Sequence, residues 1–385
     1  MTTASTTSMT LGDDALTDLR DLSVSILARH SAEALNVQST SIPFDRALWN
    51  TLSDSGLTLL TTPETAGGSG ASFVESSLLL QCSSQHASPV PLAEADLLAG
   101  WLLGVAELPV PKDPISSAAG PMTVSGSSPG TVVVSGTLTR VPWARDCASL
   151  AILGHTGDHH VVFSLPLEQA HVTAGENLAY EPRDTVRFDV EIPADELIVV
   201  NDQTIHQWRL RGAFARSAQI CGALERALEL TIEHASQRVQ FGRALGKFQA
   251  VQHMVSAMAG EVTAARAALD TAARTISSRG LATSTAELTI AIAKSQAGRA
   301  SSLVVKNSHQ IHGAIGFTLD HQLRHFTLRS LSWRTEFGDE RTWNRRVGDL
   351  ALRGGTDGLW GLITSGLDDP PLNLSTRARA RRTSD

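Results

Sequence analysis

The spacing of hydrophobic residues along the chain changes twice, and the two changes divide it into three parts. In the first part, apolar residues recur at helical spacing in residues 16–35, 44–57, 75–81 and 92–103. Short alternating or β-branched runs then predict strands at 131–138, 150–153, 160–165 and 185–192. From Gln207 onward the helical spacing returns. We therefore predict an α+β multidomain chain, with an all-helical domain over 15–118, an antiparallel β domain over 119–204 and a helical domain over 205–365.

Both ends of the chain are polar and lack this periodicity. Residues 1–14 are rich in Ser and Thr, and residues 366–385 carry Pro370, Pro371 and several arginines. Such segments bury too little apolar surface to order themselves, so we expect a disordered N-terminus and a flexible tail. Nothing in the sequence has the apolar core of a secretion signal or a membrane span, which predicts a cytoplasmic protein that does not enter a membrane.

Composition excludes several classes of function. The 385 residues are 42% hydrophobic and 18% charged, the balance of a globular protein, and the net charge of -7 gives no reason to expect nucleic acid. Three cysteines without paired spacing argue against a disulfide framework. A polar hairpin turn, rather than a metal site, is predicted for His155, Asp158, His159 and His160. Adjacent residues of a strand point to opposite faces, so these side chains do not converge. We predict no metal site.

A glycine-marked turn joins the two longest helical patterns. It reads RVQFGRALGKFQ over residues 238–249, so Arg238 ends the first helix and Gln249 starts the second. Helices joined by a short turn pack antiparallel, which lets both side chains project from one end of the pair. An arginine beside free helix amides suits a phosphate group. The spacing alone also allows two solvated side chains. An anionic ligand would need a basic patch, for which the candidates are Arg209, Arg211, Arg216, Arg238, Arg243 and Lys247.

This turn resembles the RxQFG…FQ segment of the acyl-CoA dehydrogenase family, flavoenzymes that desaturate acyl-CoA thioesters. The resemblance implies that Arg238, Phe241 and Gln249 contact the FAD of a neighbouring subunit. Residues 310–316, QIHGAIG, are similar to the family motif QxxGGxG, which implies that Gln310, Gly313 and Ala314 meet the adenosine diphosphate part of FAD. Residues 63–70, PETAGGSG, are similar to a loop of the family's N-terminal domain. The implied fold adds a middle β-barrel and a C-terminal four-helix bundle that mediates tetramerisation.

The middle domain departs from the family pattern. The family's Thr-Glu-Pro…Gly-Ser-Asp loop, which bonds the flavin and the thioester, has no clear counterpart in residues 115–130. Residues 141–144, VPWA, fall where the family has a tryptophan strand beside the flavin, which implies a flavin contact for Trp143. A buried barrel tryptophan is the alternative interpretation of Trp143.

The catalytic base of the family also has no counterpart. The reaction needs a carboxylate to remove the α proton while hydride passes to the flavin. When Phe337 is set on the family's tyrosine, the base position holds Gly338, and the position used by a second group of relatives holds Gly212. Glu336, Asp339 and Glu340 are candidates for a displaced base. A shift of one residue at a helix start, however, turns a side chain by about 100°.

The resemblance and the missing base together lead to one hypothesis. Some actinobacterial acyl-CoA dehydrogenases that act on steroid side chains are α2β2 heterotetramers, in which only one type of subunit carries the base. The chain resembles the base-lacking type, which implies a homologous partner subunit, an acyl-CoA substrate and electron-transfer flavoprotein as electron acceptor. Two alternatives stay open: a self-sufficient homotetramer with a displaced base, and a flavin-free structural subunit of the same fold.

Overall fold

The computed structural model describes residues 12–36, 42–157 and 159–353. The disorder predicted for residues 1–11 and 366–385 concerns segments outside these ranges. The first helix already begins at Asp13, so the predicted disordered N-terminus extends too far into the chain. None of the helices in these ranges is long and apolar enough to cross a membrane.

The N-terminal domain is helical, as predicted. Its elements are α1 (Asp13–Asn36), α2 (Arg46–Asp54), α3 (Phe73–Gln85), a π-helical segment (Glu94–Gly100) and α4 (Trp101–Val105), which continues that segment. A capping box begins α3: Ser72 accepts from the Val74 amide, and the Glu75 carboxylate accepts from the Ser72 amide. Buried leucines from these helices, including Leu27, Leu52 and Leu102, form one core with the C-terminal helices.

The middle domain is a seven-stranded sheet in the order β5-β6-β2-β1-β3-β4-β7. The strands are β1 (Ile115–Ser128), β2 (Thr131–Pro142), β3 (Ser149–Thr156), β4 (His159–Pro166), β5 (Ala170–Thr173), β6 (Arg183–Pro193) and β7 (Ile198–Val200). Neighbouring strands are antiparallel except β1 and β3, which run parallel. The sheet is therefore mixed, whereas the sequence predicted an entirely antiparallel domain.

Strand β1 was missed by the sequence analysis, and the predicted boundary at residue 118 falls inside it. Its residues, ISSAAGPMTVSGSS, are mostly small, a composition that favours a loop rather than a strand. The structure supplies the reason: β1 lies between β2 and β3, and Met122 fills the space beside Gly154. A β-carbon on Gly154 would lie 1.9 Å from the sulfur of Met122. Small residues at this centre make room for close packing.

The C-terminal domain is the predicted helical bundle. Its helices are α5 (Asp202–Gln237), α6 (Gln249–Arg279), α7 (Ser284–His312), α8 (Leu323–Trp333) and α9 (Glu340–Arg353). A short hairpin, β8 (Val239–Gln240) and β9 (Arg243–Ala244), joins α5 to α6. Helices α5, α6 and α7 pack against one another, α9 packs on α7, and α8 packs on α5. Asn201 caps α5, so this domain begins slightly before the predicted residue 205.

Residues 284–287, STAE, have the Ser-x-x-Glu form that predicts a capping box, but the start of α7 differs from it. Thr283 is the N-cap, and its hydroxyl accepts a hydrogen bond from the Ala286 amide. The Glu287 carboxylate instead pairs with Arg346 of α9. A long-range ion pair has therefore replaced a local hydrogen bond.

Candidate active site

A cavity of about 800 Å³ lies between the sheet and the C-terminal domain. Its walls come from β1, the end of β2, the start of α5, the loop 335–338 and α9. Among the lining residues, Arg140, Arg209 and Arg345 are exposed, and none of the three forms an ion pair with another described residue. Arg140 lies at an irregularity of β2 between Leu138 and Val141. The exposed part of the lining, here called the mouth, carries these three guanidinium groups against one carboxylate, that of Asp349, so it is net basic and suits an anionic ligand.

Both positions at which relatives carry the base converge on Phe337. The ring of Phe337 lies against Gly212 of α5, and a β-carbon at residue 212 would lie 2.3 Å from two of its ring carbons. Trp208, one helical turn earlier, packs on the same ring with centroids 5.1 Å apart. Phe337 thus occupies the space that a side chain at residue 212 would need.

Gly338 adopts a backbone conformation that favours glycine. Its φ is +105°, and a β-carbon there would lie 2.8 Å from Nε1 of Trp343. That Nε1 donates a hydrogen bond to the carbonyl oxygen of Phe337. Buried Lys294 of α7 fixes the same loop, since its Nζ donates to the carbonyl oxygens of Arg334 at 2.7 Å and Gly338 at 3.0 Å. The backbone at Gly338 is held in place and leaves no room for a carboxylate.

Glu336, the first candidate for a displaced base, has both carboxylate oxygens occupied. Oε1 accepts from Nε of Arg183 at 2.9 Å, and Oε2 accepts from Nε of Arg216 at 2.6 Å. The side chain is 12% exposed. Although burial acts to raise the pKa of Glu336, the two arginines outweigh it and lower that pKa to about 2. A carboxylate held in this way is a poor proton acceptor.

Glu336 is one member of a buried ion-pair network that joins all three domains. Arg216 also pairs with Glu94 of the π-helical segment at 2.5 Å. Glu181, before β6, pairs with Arg183 at 3.4 Å and with Arg329 of α8 at 3.2 Å. The six members of the network are Glu94, Glu181, Arg183, Arg216, Arg329 and Glu336. Three carboxylates balance three guanidinium groups, which is how this many charges can be buried together.

Asp339 and Glu340, the other two candidates, lie away from the main cavity. Asp339 is exposed and accepts hydrogen bonds from the amide and hydroxyl of Thr342, at 2.8 and 2.6 Å, in the first turn of α9. These bonds lower the pKa of Asp339. Both residues line a separate groove beside Gly298. Neither side chain is in place to take a proton from a ligand in the main cavity.

Glu287 also lines the cavity, and the sequence analysis did not identify it as a site residue. Oε2 accepts from Nη2 of Arg346 at 2.5 Å, and Nε2 of His206 lies 3.4 Å from the same oxygen. Burial raises the pKa of Glu287, but the hydrogen bonds from His206 and Arg346 outweigh it and lower the pKa to about 2. The two buried carboxylates of this cavity, Glu287 and Glu336, are therefore both committed to ion pairs.

The residues expected to contact FAD through the RxQFG turn are on the surface of the single chain. Arg238 is the C-cap of α5, and Gln249 is the first residue of α6; both are exposed. Phe241 is 92% exposed with φ +49°. The ring is open to solvent in the single chain, so another molecule can reach it.

The second expected FAD segment lies at the end of α7. Gln310, Gly313 and Ala314 are exposed there. Gly313 has φ +65°, and the space beside its α-carbon is open to 4 Å, which allows a ligand to approach the backbone closely. His234 of α5 stacks on His312 with ring centroids 4.4 Å apart, so the ends of α5 and α7 meet. The structure thereby brings Arg238 and Gly313 to the same corner of the bundle.

Trp143 is buried rather than turned toward the cavity. It is 3% exposed and packs against Phe44 of the N-terminal domain with centroids 6.2 Å apart. Val141 and Pro142, its neighbours, line the cavity instead. The flavin contact expected for Trp143 from the resemblance therefore has no support in this position, because the ring forms part of a domain interface.

Two of the six proposed basic-patch residues are in the interior. Arg216 belongs to the ion-pair network, and Arg211 is stacked over Phe73 and Trp101 at 5.0 and 4.5 Å from their centroids. Neither can meet an anion at the surface. The two side chains point about 140° apart on α5, and each contacts the N-terminal domain, Arg211 at Phe73 and Trp101 and Arg216 at Glu94.

Comparisons with known proteins agree with this architecture. Residues 209–347 match the family model of the acyl-CoA dehydrogenase C-terminal domain. The acyl-CoA dehydrogenase IpdE2 of Mycolicibacterium smegmatis is 26% identical over 336 residues, 86% of this chain and 96% of that protein.

Two solved complexes share the fold. The ChsE4–ChsE5 complex from Mycobacterium tuberculosis matches with a TM-score of 0.79 at 23% identity, over 89% of this chain and 98% of that one. The Tcur3481–Tcur3483 steroid acyl-CoA dehydrogenase matches with a TM-score of 0.76 at 24% identity, also over 89% of this chain and 98% of that one. Residues 209–347 thus match the C-terminal domain of acyl-CoA dehydrogenases, and the chain is similar to members of that family over most of its length.

Proposed function

We propose that the chain is the base-lacking subunit of a heteromeric acyl-CoA dehydrogenase and that a homologous partner subunit supplies the catalytic glutamate. The observation that carries this proposal is the packing of Phe337 on Gly212. It closes one base position, while the φ of Gly338 and the proximity of Trp343 close the other. The nearby carboxylates Glu287 and Glu336 are held by arginines and cannot replace the missing group.

The exposed edge formed by Arg238, Phe241 and Gly313 fits a cofactor bound largely by another subunit. Its features are a free guanidinium, an uncovered aromatic ring and a glycine with open space beside it. In this proposal, Arg238 holds a phosphate of FAD through a charge-assisted hydrogen bond, and the backbone at Gly313 allows close approach. When bound, FAD accepts the hydride that leaves the β carbon of the acyl chain.

The basic mouth of the cavity indicates where an acyl-CoA would approach. Arg140, Arg209 and Arg345 are exposed residues of the lining, and they suit the phosphates of the CoA portion. Trp208 and Val141 give the wall behind them apolar surface. In this arrangement the chain's own residues bind and orient the thioester, and the partner removes the α proton.

The substrate class and the electron acceptor are further parts of the proposal. One fold neighbour is a steroid acyl-CoA dehydrogenase, and the other is a complex of two differently named chains. We extend to this chain an acyl-CoA of steroid side-chain type, an α2β2 assembly and electron-transfer flavoprotein as acceptor. The match to IpdE2 covers 96% of that protein, which favours a comparable whole-chain role.

Flavin stoichiometry measured together with subunit composition tests this function. The chain is purified alone and then with a co-expressed acyl-CoA dehydrogenase that carries the glutamate, and visible flavin absorbance is recorded against mass by light scattering. We expect flavin to be retained only in the complex, with fewer than one flavin per chain.

Two outcomes would contradict the proposal in different ways. One flavin per chain and acyl-CoA oxidation by the chain alone would establish a self-sufficient homotetramer. A complex that forms but stays colourless would establish a structural subunit without flavin.

A further inference from the structure

Three histidines from different elements meet at the corner where α5 and α7 end. His234 lies in the last turn of α5, His312 is the last residue of α7, and His321 lies in the turn before α8. One nitrogen from each ring can be chosen such that all three lie within 4.8 Å of one another. Within residues 12–36, 42–157 and 159–353, no other group of three His, Cys, Asp or Glu residues satisfies this spacing.

His312 is already oriented as a metal-bound histidine usually is. Its Nδ1 lies 2.8 Å from the carbonyl oxygen of Ser308 and donates a proton to it, which leaves Nε2 as the unprotonated nitrogen. The residue is 5% exposed, and Nε2 is buried without a hydrogen-bond partner among the described residues. A buried acceptor without a donor costs about 1–3 kcal/mol. A metal ion would satisfy this nitrogen.

The other two rings surround this free nitrogen. His234 stacks on His312 with centroids 4.4 Å apart, and His321 meets the His312 ring edge-on at 4.7 Å. Nitrogens bound to one Zn²⁺ lie about 3.4 Å apart, so closure requires ring shifts of about 1 Å.

Helix ends favour a cation at this corner. Helices α5 and α7 both terminate there, and the carbonyl end of a helix carries a partial negative charge. Arg238 lies close enough to oppose a cation near His234, whereas Glu233 lies close enough to favour one near His321. The two helix ends add a favourable contribution at this corner.

His321 has to exchange one partner to join the site. Its Nδ1 accepts a hydrogen bond from the Leu323 amide at 3.1 Å. Nδ1 is therefore the ligand nitrogen of this ring, and the metal replaces the amide proton at that position. The ring is half-buried in a turn without regular structure, which allows it to rotate.

We propose that His234, His312 and His321 bind one divalent transition-metal ion, with Zn²⁺ as the expected occupant because imidazole is among its preferred ligands. Three protein ligands leave a fourth position for water or for a group from a partner. The ion would join the ends of α5 and α7 to the turn before α8. This proposal rests on the geometry of the three rings and is independent of the function proposed above.

Metal titration of the untagged full chain tests the site. The protein is stripped with a chelator and titrated with Co²⁺ and Zn²⁺, with cobalt absorption reporting coordination and calorimetry reporting affinity and stoichiometry. We expect one ion per chain and a tetrahedral cobalt spectrum. His312→Gln should weaken binding by more than the roughly 10–100-fold expected for loss of an outer-shell partner.

A matched control uses the chain's other stacked histidine pair. His155 and His160 lie with centroids 4.7 Å apart on neighbouring strands, so His155→Gln removes an equivalent ring without touching the cluster. This variant should bind both metals as the unmodified chain does. Circular dichroism of each variant establishes that it is folded before titration.

Three results would overturn the proposal. In the first, the folded, unmodified chain binds neither metal at micromolar concentration. In the second, the His312→Gln variant binds metal as tightly as the unmodified chain. In the third, the His321→Ala variant does so. The last result would mean that the site does not use His321.

Discussion

The ring of Phe337 lies against the α-carbon of Gly212, so a β-carbon at residue 212 would come within 2.3 Å of it. The two residues are far apart in the sequence, yet each sits at or beside a position where relatives carry the catalytic glutamate. A carboxylate at residue 212 would therefore require Phe337 to move. In the function proposed above, this contact is the reason that the first long helix does not supply the base.

Gly212→Ala tests this contact. We expect the variant to lose about 1–3 kcal/mol of unfolding free energy, because the new methyl group overpacks the Phe337 ring. Urea denaturation measures the change. Gly260→Ala in α6 is the control, since the space around Gly260 is open to 4 Å and alanine there should stabilise the helix by about 0.5–1 kcal/mol. Equal effects of the two substitutions would contradict the packing.

Glu336→Gln tests the role of Glu336 as an ion-pair partner rather than a base. The substitution leaves Arg183 and Arg216 with excess buried positive charge, and we expect a loss of about 3–5 kcal/mol in unfolding free energy. Glu229→Gln removes a carboxylate from a surface pair with Arg226 and should cost less than about 1 kcal/mol. A stable Glu336→Gln protein whose complex loses only activity would instead identify a catalytic carboxylate.

The stability of the chain should fall in acid. The pKa values of Glu287 and Glu336 drop from an ordinary 4.5 to about 2 in the folded protein, so both carboxylates stabilise the fold above pH 4.5. Protonation in the unfolded chain removes this contribution progressively as pH falls from 4.5 to about 2. Denaturant titrations across that range should show a decreasing unfolding free energy, and Glu336→Gln should flatten the slope. An unchanged slope would mean that Glu336 is not charged in the folded state.

Arg238→Ala should weaken FAD retention in the complex by roughly tenfold or more, because it removes the charge that we propose holds a cofactor phosphate. Flavin released on dilution, measured by fluorescence, reports the change. Arg226→Ala removes the same charge from α5 about three turns earlier and should leave flavin retention unaltered. Retention that is equal in the two variants would exclude Arg238 from the cofactor site.

Arg345→Gln should weaken binding of an acyl-CoA ester to the complex by roughly fivefold at low ionic strength, with a smaller effect in added salt. Arg341→Gln on the same helix is the control, because Arg341 lines the separate groove beside Gly298. Calorimetric titration at two salt concentrations distinguishes them. Equal weakening would indicate a general charge effect rather than a basic mouth.

Periodicity predicted the helical domains and four of the strands, β2, β3, β4 and β6, because both kinds of element depend on local spacing. It failed at β1, where Ser, Ala and Gly are present because Met122 and the neighbouring strands leave little space. The cap of α7 was also wrong, since Glu287 bonds to Arg346, a partner that no local pattern contains. Local spacing predicts whether a segment is a helix or a strand, whereas tertiary contacts determine the structure of segments such as β1 and the start of α7.

The candidate site divides in the same way. Motif spacing singled out Arg238 and Gly313, because each lies in a short recognisable segment. Comparison with the family pattern singled out Gly212 and Gly338. The roles of Glu336 and the three-histidine cluster depend on residues brought together from distant elements, so no spacing pattern could reveal them. Trp143 was ambiguous because a tryptophan on a domain interface and one beside a ligand have the same sequence signature.

The buried ion-pair network couples the unfolding of the domains. The C-terminal domain contributes Arg216, Arg329 and Glu336, which leaves it one positive charge in excess, and Glu94 of the N-terminal domain supplies the compensating charge. Neither domain can unfold alone without stranding a charge in the interior of the other. We therefore expect a single cooperative unfolding transition. The segment that matches the family model should not persist as an autonomous folding unit when it is cut from the chain.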